Sequence, residues 1–129
     1  AILHPASGEL ECLNAGHNPM YIIKKDLSLH QIKAGGIPLG MMEMDFPYQS
    51  ERLILDRGDR LFLYTDGITE ATNKKGKFYE DSGRLEKFIA DRKKSTASEF
   101  IEQLVIDIKK FCGDALQSDD ITALYLIRN

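Results

Sequence analysis

The chain has 129 residues, enough for one domain with a core of its own. Apolar residues make up 43% and charged residues 29% of it, the balance of an ordinary folded domain, and no apolar run approaches a membrane span. A net charge of −3 supplies no basic field, so neither nucleic acid nor a membrane surface is expected as a partner.

The first half reads as short strands and tight turns. Apolar stretches at 1–3 and 10–13 flank "HPASGE", whose Pro, Ser and Gly suit a hairpin. A second pair, 21–23 and 27–32, brackets a turn at 24–26. After "GGIPLG" and a Met-rich loop at 41–44, "SERLILDRGDRLFLYT" predicts a third hairpin, with Leu53 and Leu55 alternating in one arm and "DRGD" as its turn. The second half changes period. Leu85, Phe88 and Ile89 repeat at helical spacing behind Asp81 and Ser82 as N-cap candidates. A longer helix opens on the capping-box pattern "TASE" at 96–99, carries the stripe Phe100, Ile101, Leu104, Val105, Ile108, Phe111 and Cys112, and stops at Gly113. "ITALYLI" at 121–127 reads as a buried strand. Strands, two helices, then a last strand make an α+β chain with largely antiparallel sheets.

Cys12 and Cys112 show no paired spacing and read as two thiols of a reduced, cytoplasmic protein. No basic segment followed by an apolar stretch opens the chain as a secretory leader would; it enters an apolar run directly at Ala1, as a piece of something longer does.

Asp66 ends one predicted strand, and Asp119 and Asp120 immediately precede another. If those strands are antiparallel neighbours, the carboxylates meet at one end. Clustered carboxylates repel unless a proton or cation relieves them, and hard divalent cations prefer such oxygen donors. Taken singly, each piece has a plainer reading: "DG" after an apolar run is a turn, and "SDD" before a strand is a solvated loop.

"NAGHNP" at 14–19, "GIPLG" at 36–40, "GDRLFLYTDGITEA" at 58–71 and "DDIT" at 119–122 occur in one order across nearly the whole chain. Together they resemble the metal-dependent protein phosphatases of the protein phosphatase 2C superfamily, in the bacterial SpoIIE-like and RsbU-like branch. That resemblance implies an α-β-β-α sandwich with two Mn²⁺ or Mg²⁺ ions per intact domain at one end of its sheets. It implies Asp66 and Asp119 as metal ligands of the catalytic centre, with Asp120 beside them. Gly67 would let backbone pass close to the site, Thr65 and Thr69 would add hydroxyls behind it, and Asn14, Gly16 and His17 are candidates for its rim. The implied reaction is hydrolysis of phosphoserine or phosphothreonine in a regulatory protein, of the anti-anti-sigma type, in signal transduction to sigma factors. A regulatory or sensor domain would lie upstream.

The resemblance also shows what is missing. The family's early Asp-Gly motif and its "GD" motif, which carry further ligands, do not occur in the first forty residues. Residues 1–129 are therefore expected to be the C-terminal part of one phosphatase domain, weakly active or inactive alone and prone to self-association through uncovered apolar surface and strand edges. The alternative is a non-catalytic module that keeps the phosphatase-like fold for interaction. A phosphohydrolase with an aspartyl nucleophile fits worse, because its Asp-x-Asp pattern would need an aspartate where Tyr64 stands. Among the other motifs, His17 is read first as part of a turn, "NKKGK" at 73–77 as a solvated loop, and the methionines of 41–44 as filling core gaps. "FYEDSGRL" at 78–85 departs from the branch, its Gly displaced before the helix.

Overall fold

The computed structural model describes residues 1–33, 35–41, 47–117 and 119–129. The chain is α+β and divides into two compact units, Ala1–Leu63 with Leu126–Asn129, and Tyr64–Tyr125. Among the described residues, seven strands form two sheets: β1 (Ile2–Leu3), β2 (Glu9–Leu13) and β5 (Ser50–Ile54) in the order β1-β2-β5, and β3 (Met20–Ile23), β4 (Leu29–Ile32), β6 (Arg60–Tyr64) and β7 (Ala123–Ile127) in the order β4-β3-β6-β7.

Within the first unit the strands alternate as a half-buried sheet requires. In β2, Leu10 and Cys12 point inward while Glu9 and Leu13 face out. They meet Met20, Ile22, Ile32, Leu55 and Leu61 in one apolar cluster between the two sheets. Two of the three expected strand pairs are present. β1 pairs with β2 through a turn in which Gly8, at φ +82°, donates its N–H to His4. β3 pairs with β4 through a turn at 24–28 that places Leu27 at φ +70°.

The third expected hairpin does not form. β5 pairs with β2 in one sheet and β6 with β3 in the other, so "DRGD" carries the chain from sheet to sheet. The reason lies in Asp59, whose side chain is 1% exposed. Its carboxylate accepts the backbone N–H groups of Lys25 at 2.7 Å and Asp56 at 2.9 Å, and pairs with the Lys24 ammonium. Both oxygens of this enclosed carboxylate thus have donors, as a buried polar group requires. The Asp59 bond, more than any other interaction, raises the Lys24 pKa above its usual value. Arg128 fastens the same corner: its guanidinium donates to the carbonyls of Leu55, Pro5 and Ala6.

In the second unit, a one-turn helix α1 (Asp66–Thr69) follows β6, then a 3₁₀ turn (Glu80–Ser82), α2 (Arg84–Asp91) and α3 (Ala97–Cys112). The sequence predicts α2 and α3 but not α1. The N-cap of α2 is Gly83 at φ +60°, not Asp81 or Ser82; Asp81 instead turns its carboxylate back to accept the Phe78 N–H. α3 carries the full capping box between Thr96 and Glu99, and its C-cap is Gly113 at φ +60°. Phe88 of α2 meets Phe100 of α3 edge-on at 5.2 Å, and Phe100 stacks on Tyr125 of β7 at 3.9 Å between ring centres. Arg84 makes a two-pronged bond to Asp107, whose carboxylate also accepts the Tyr79 hydroxyl at 2.6 Å. Arg84 chiefly holds the Asp107 carboxyl below the usual carboxylate range, while burial first, and Asp107 second, push the Tyr79 hydroxyl up. This network ties the displaced-glycine segment to α3.

β7 is shorter than the predicted 121–127 run and stands at the sheet's edge among the described residues, with Leu124 51% exposed; it is half-buried rather than buried. Met41 is 70% exposed and fills no core gap, while 42–44 lie outside the described residues. Asn73 organises the "NKKGK" loop by accepting the N–H groups of Lys75 and Lys77, and Lys74 makes an exposed ion pair with Asp114. Both cysteines are free. No helix among the described residues is long and apolar enough to cross a membrane.

Candidate metal centre

β6 and β7 run antiparallel: Arg128 N–H donates to Asp59 O at 3.0 Å, and Thr65 N–H donates to Thr122 O at 3.0 Å. The end of β6 therefore lies beside the start of β7, and Asp66–Gly67 meets Asp119–Asp120 inside the second unit.

Thr65 makes the junction. It is the N-cap of α1, with the extended backbone of a cap, yet its side chain makes no capping bond. Its hydroxyl instead donates to Asp120 O at 3.2 Å and accepts the Thr122 N–H at 3.1 Å. A local helix cap is given up for a bridge between distant segments. Behind it, Thr69 Oγ1 donates to Asp66 O at 3.2 Å, and fully buried Ile68 anchors the turn.

Gly67 sets the closeness of approach. Its backbone is helical rather than left-handed, so its role is space: a Cβ there would overlap Asp120 O and stand 2.8 Å from Asp120 C. Only glycine lets the two segments touch in this way.

The carboxylates face solvent. Asp66, Asp119 and Asp120 are all exposed. Asp66 Oδ1 accepts the Gly67 N–H at 3.0 Å and Asp119 Oδ1 accepts the Asp120 N–H at 2.7 Å. Each of these side chains is thus oriented through one oxygen by the next amide. Oxygen donors on a stiff strand end have the chemistry a hard divalent cation prefers. Among the described residues, no three His, Cys, Asp or Glu side chains converge as a ligand group.

Asn14, Gly16 and His17 belong to the first unit. Buried Asn14 folds the turn around itself: Oδ1 accepts the His17 N–H at 2.8 Å and Nδ2 donates to Asn18 O. The turn packs on "GGIPLG" at 35–40, through Asn14 O with Gly35 N–H and through Gly16, where a Cβ would stand 2.5 Å from the Pro38 ring. His17 is exposed, its Nδ1 3.2 Å from Asn18 O. Two motifs read separately in the sequence are one packed corner.

The sequence reading missed Thr122, which completes the Thr65 bridge through its backbone alone. It also missed a groove of about 560 Å³ lined by Gly67 and Asp120 and by residues of α3, 113–117 and 121–122.

Comparison with known proteins gives the family and the fold. The chain is 28% identical over 128 residues to protein IcfG of Synechocystis, covering 99% of this chain and 20% of that protein. It is 30% identical over 116 residues to the phosphoserine phosphatase RsbU of Bacillus subtilis, covering 89% and 33%. The chain thus spans a fifth to a third of the length of these curated relatives. The PP2C domain of SiaA from Pseudomonas aeruginosa superposes with a TM-score of 0.80 at 22% identity, over 94% of this chain and 47% of that one, a likeness of fold. The profile of the family described as Stage II sporulation protein E matches residues 1–129, and the chain belongs to this SpoIIE family.

Proposed function

We propose that this chain carries the C-terminal part of a metal-dependent protein phosphatase domain acting on phosphoserine or phosphothreonine in a regulatory protein. The observation that carries the reading is the junction of Asp66–Gly67 with Asp119–Asp120, held by the Thr65 hydroxyl and permitted by Gly67. A structural turn needs no such bridge between exposed carboxylate segments. Similarity to a phosphoserine phosphatase, RsbU, supports the substrate class, and an anti-anti-sigma-type phosphoprotein is the substrate we favour.

In this reading Asp66 and Asp119 hold a Mn²⁺ or Mg²⁺ ion, and Asp120 backs them. When bound, such an ion stabilises charge on phosphoryl oxygens and supplies a water of lowered pKa. The chain's own contribution is to hold the geometry. Thr65 fixes the spacing of the two strand ends, Gly67 keeps that spacing short, and the Gly67 and Asp120 amides orient one oxygen of each ligand carboxylate. Further ligands come from a preceding part of the domain, so this chain alone binds metal weakly.

Calorimetric titration with Mn²⁺ tests the assignment. Weak binding that disappears in Asp66→Asn and Asp119→Asn supports it; binding indifferent to both substitutions overturns it. Robust Mn²⁺-dependent turnover of a phosphoserine peptide by these 129 residues would contradict the incomplete donor set.

A further inference from the structure

The groove beside the carboxylates has features that the hydrolytic centre does not explain. At about 560 Å³ it lies within the roughly 300–1,000 Å³ range of ligand pockets. Gly67 and Asp120 are among its lining residues, so the groove adjoins the proposed centre. Its apolar lining is Val105 and Ile108 from α3 with Leu116 and Ile121 beyond it, beside the polar Thr72, Gln117 and Thr122. Ile108 is buried, whereas Val105 is 36% and Leu116 93% exposed, leaving uncovered apolar surface at the lip. Lys109, in the last turn of α3, is the cation among the lining residues, and it makes no ion pair among the described residues.

From this we infer that the groove is the docking subsite for the polypeptide flanking the phosphoserine, accepting an apolar side chain against Val105, Ile108 and Ile121 and an acidic side chain at Lys109. The inference rests on the phosphatase reading, because only that reading makes a phosphoprotein the molecule whose neighbouring residues enter here. Continuity with Gly67 and Asp120 favours a substrate segment over a second copy, which would cover the carboxylates when seated. Charge favours it too. Lys109 is a cation in the same lining and complements an acidic side chain of the segment that enters.

The test is amide shift mapping of the 129-residue chain with two synthetic phosphoserine peptides. One carries Leu and Asp beside the phosphoserine; the other carries Gly at both positions. The expected result is that the Leu/Asp peptide shifts the amides of Val105, Ile108, Cys112 and Ile121 and binds about tenfold more tightly, a factor that burial of one leucine supports. Val105→Asp and Leu116→Asp change exposed positions and should remove that difference without unfolding the chain. Equal binding of the two peptides, or shifts confined to other surfaces, would overturn the inference. So would groove shifts that depend on protein concentration without peptide, which would make a second copy the occupant. Mn²⁺ binding at Asp66 and Asp119, measured separately, tells failure of the subsite from failure of the phosphatase reading.

Discussion

Gly67→Ala gives the sharpest test of why the candidate centre is built as it is. Gly67 sits in a helical turn, where alanine is locally favoured and restricts the unfolded chain, a gain of about 0.4–1 kcal/mol. Against this stands the Asp120 backbone. The new Cβ would lie 2.8 Å from Asp120 C where ordinary contact begins at 3.4 Å, so that segment must retreat by at least 0.6 Å (3.4 − 2.8). The overlap is with backbone, not with a flexible side-chain end, and the retreat strains the Thr65 bonds to Asp120 O and Thr122 N–H. Overpacking of this kind costs about 1–3 kcal/mol, which leaves a net loss of about 1–2 kcal/mol. Urea denaturation measures the loss, and the Thr65, Asp120 and Thr122 amide resonances should shift with it. Gly76→Ala is the control: it has open space and φ +72°, so it should cost about 1 kcal/mol of backbone strain without moving those resonances. A Gly67→Ala chain as stable as the parent, with the three amides unmoved, would refute the close approach.

Asp59→Ala leaves the amides of Lys25 and Asp56 without their acceptor, while Lys24 keeps Ile54 O and Asp56, and should cost about 2–3 kcal/mol in the same assay; a loss under about 1 kcal/mol would contradict its role at the sheet-to-sheet corner. Thr96→Ala deletes the capping box of α3 and should cost about 1 kcal/mol, read as a lower urea midpoint with an unchanged slope. The Asp107 carboxyl has a lowered folded pKa, so its bond to Arg84 adds stability that is present above the ordinary carboxylate pKa of about 4 and lost as pH falls through the lowered value. Asp107→Asn should therefore flatten the decline of stability below about pH 4; parallel declines in parent and variant would exclude the linkage.

Much of this architecture is written locally in the sequence. The "HPASGE" turn, the "TASE" box and Gly113 each act through neighbours a few residues away, and each does what its local chemistry predicts. The meeting of Thr65 and Gly67 with the 119–122 segment was legible for a different reason: antiparallel neighbours place one strand's end beside the other's start. What escaped depends on distant partners. "DRGD" reads as a hairpin turn until Lys24 and Lys25 are seen enclosing Asp59, which fixes a corner between sheets. "TDG" reads as a simple turn because nothing local shows that Thr65 turns its hydroxyl toward residues 120 and 122. The groove was hidden because Val105 and Ile108 read as one core stripe, while only Ile108 is buried.

Paramagnetic broadening by Mn²⁺ in the amide spectrum of this 129-residue chain tests the central claim most directly, since it detects weak binding and locates it. The account predicts that substoichiometric Mn²⁺ broadens the amides of 65–69 and 119–122 first, and that Asp66→Asn abolishes this selectivity. Broadening that spreads evenly over the acidic surface, or that persists at those residues in Asp66→Asn, would contradict a metal centre at the meeting of β6 and β7.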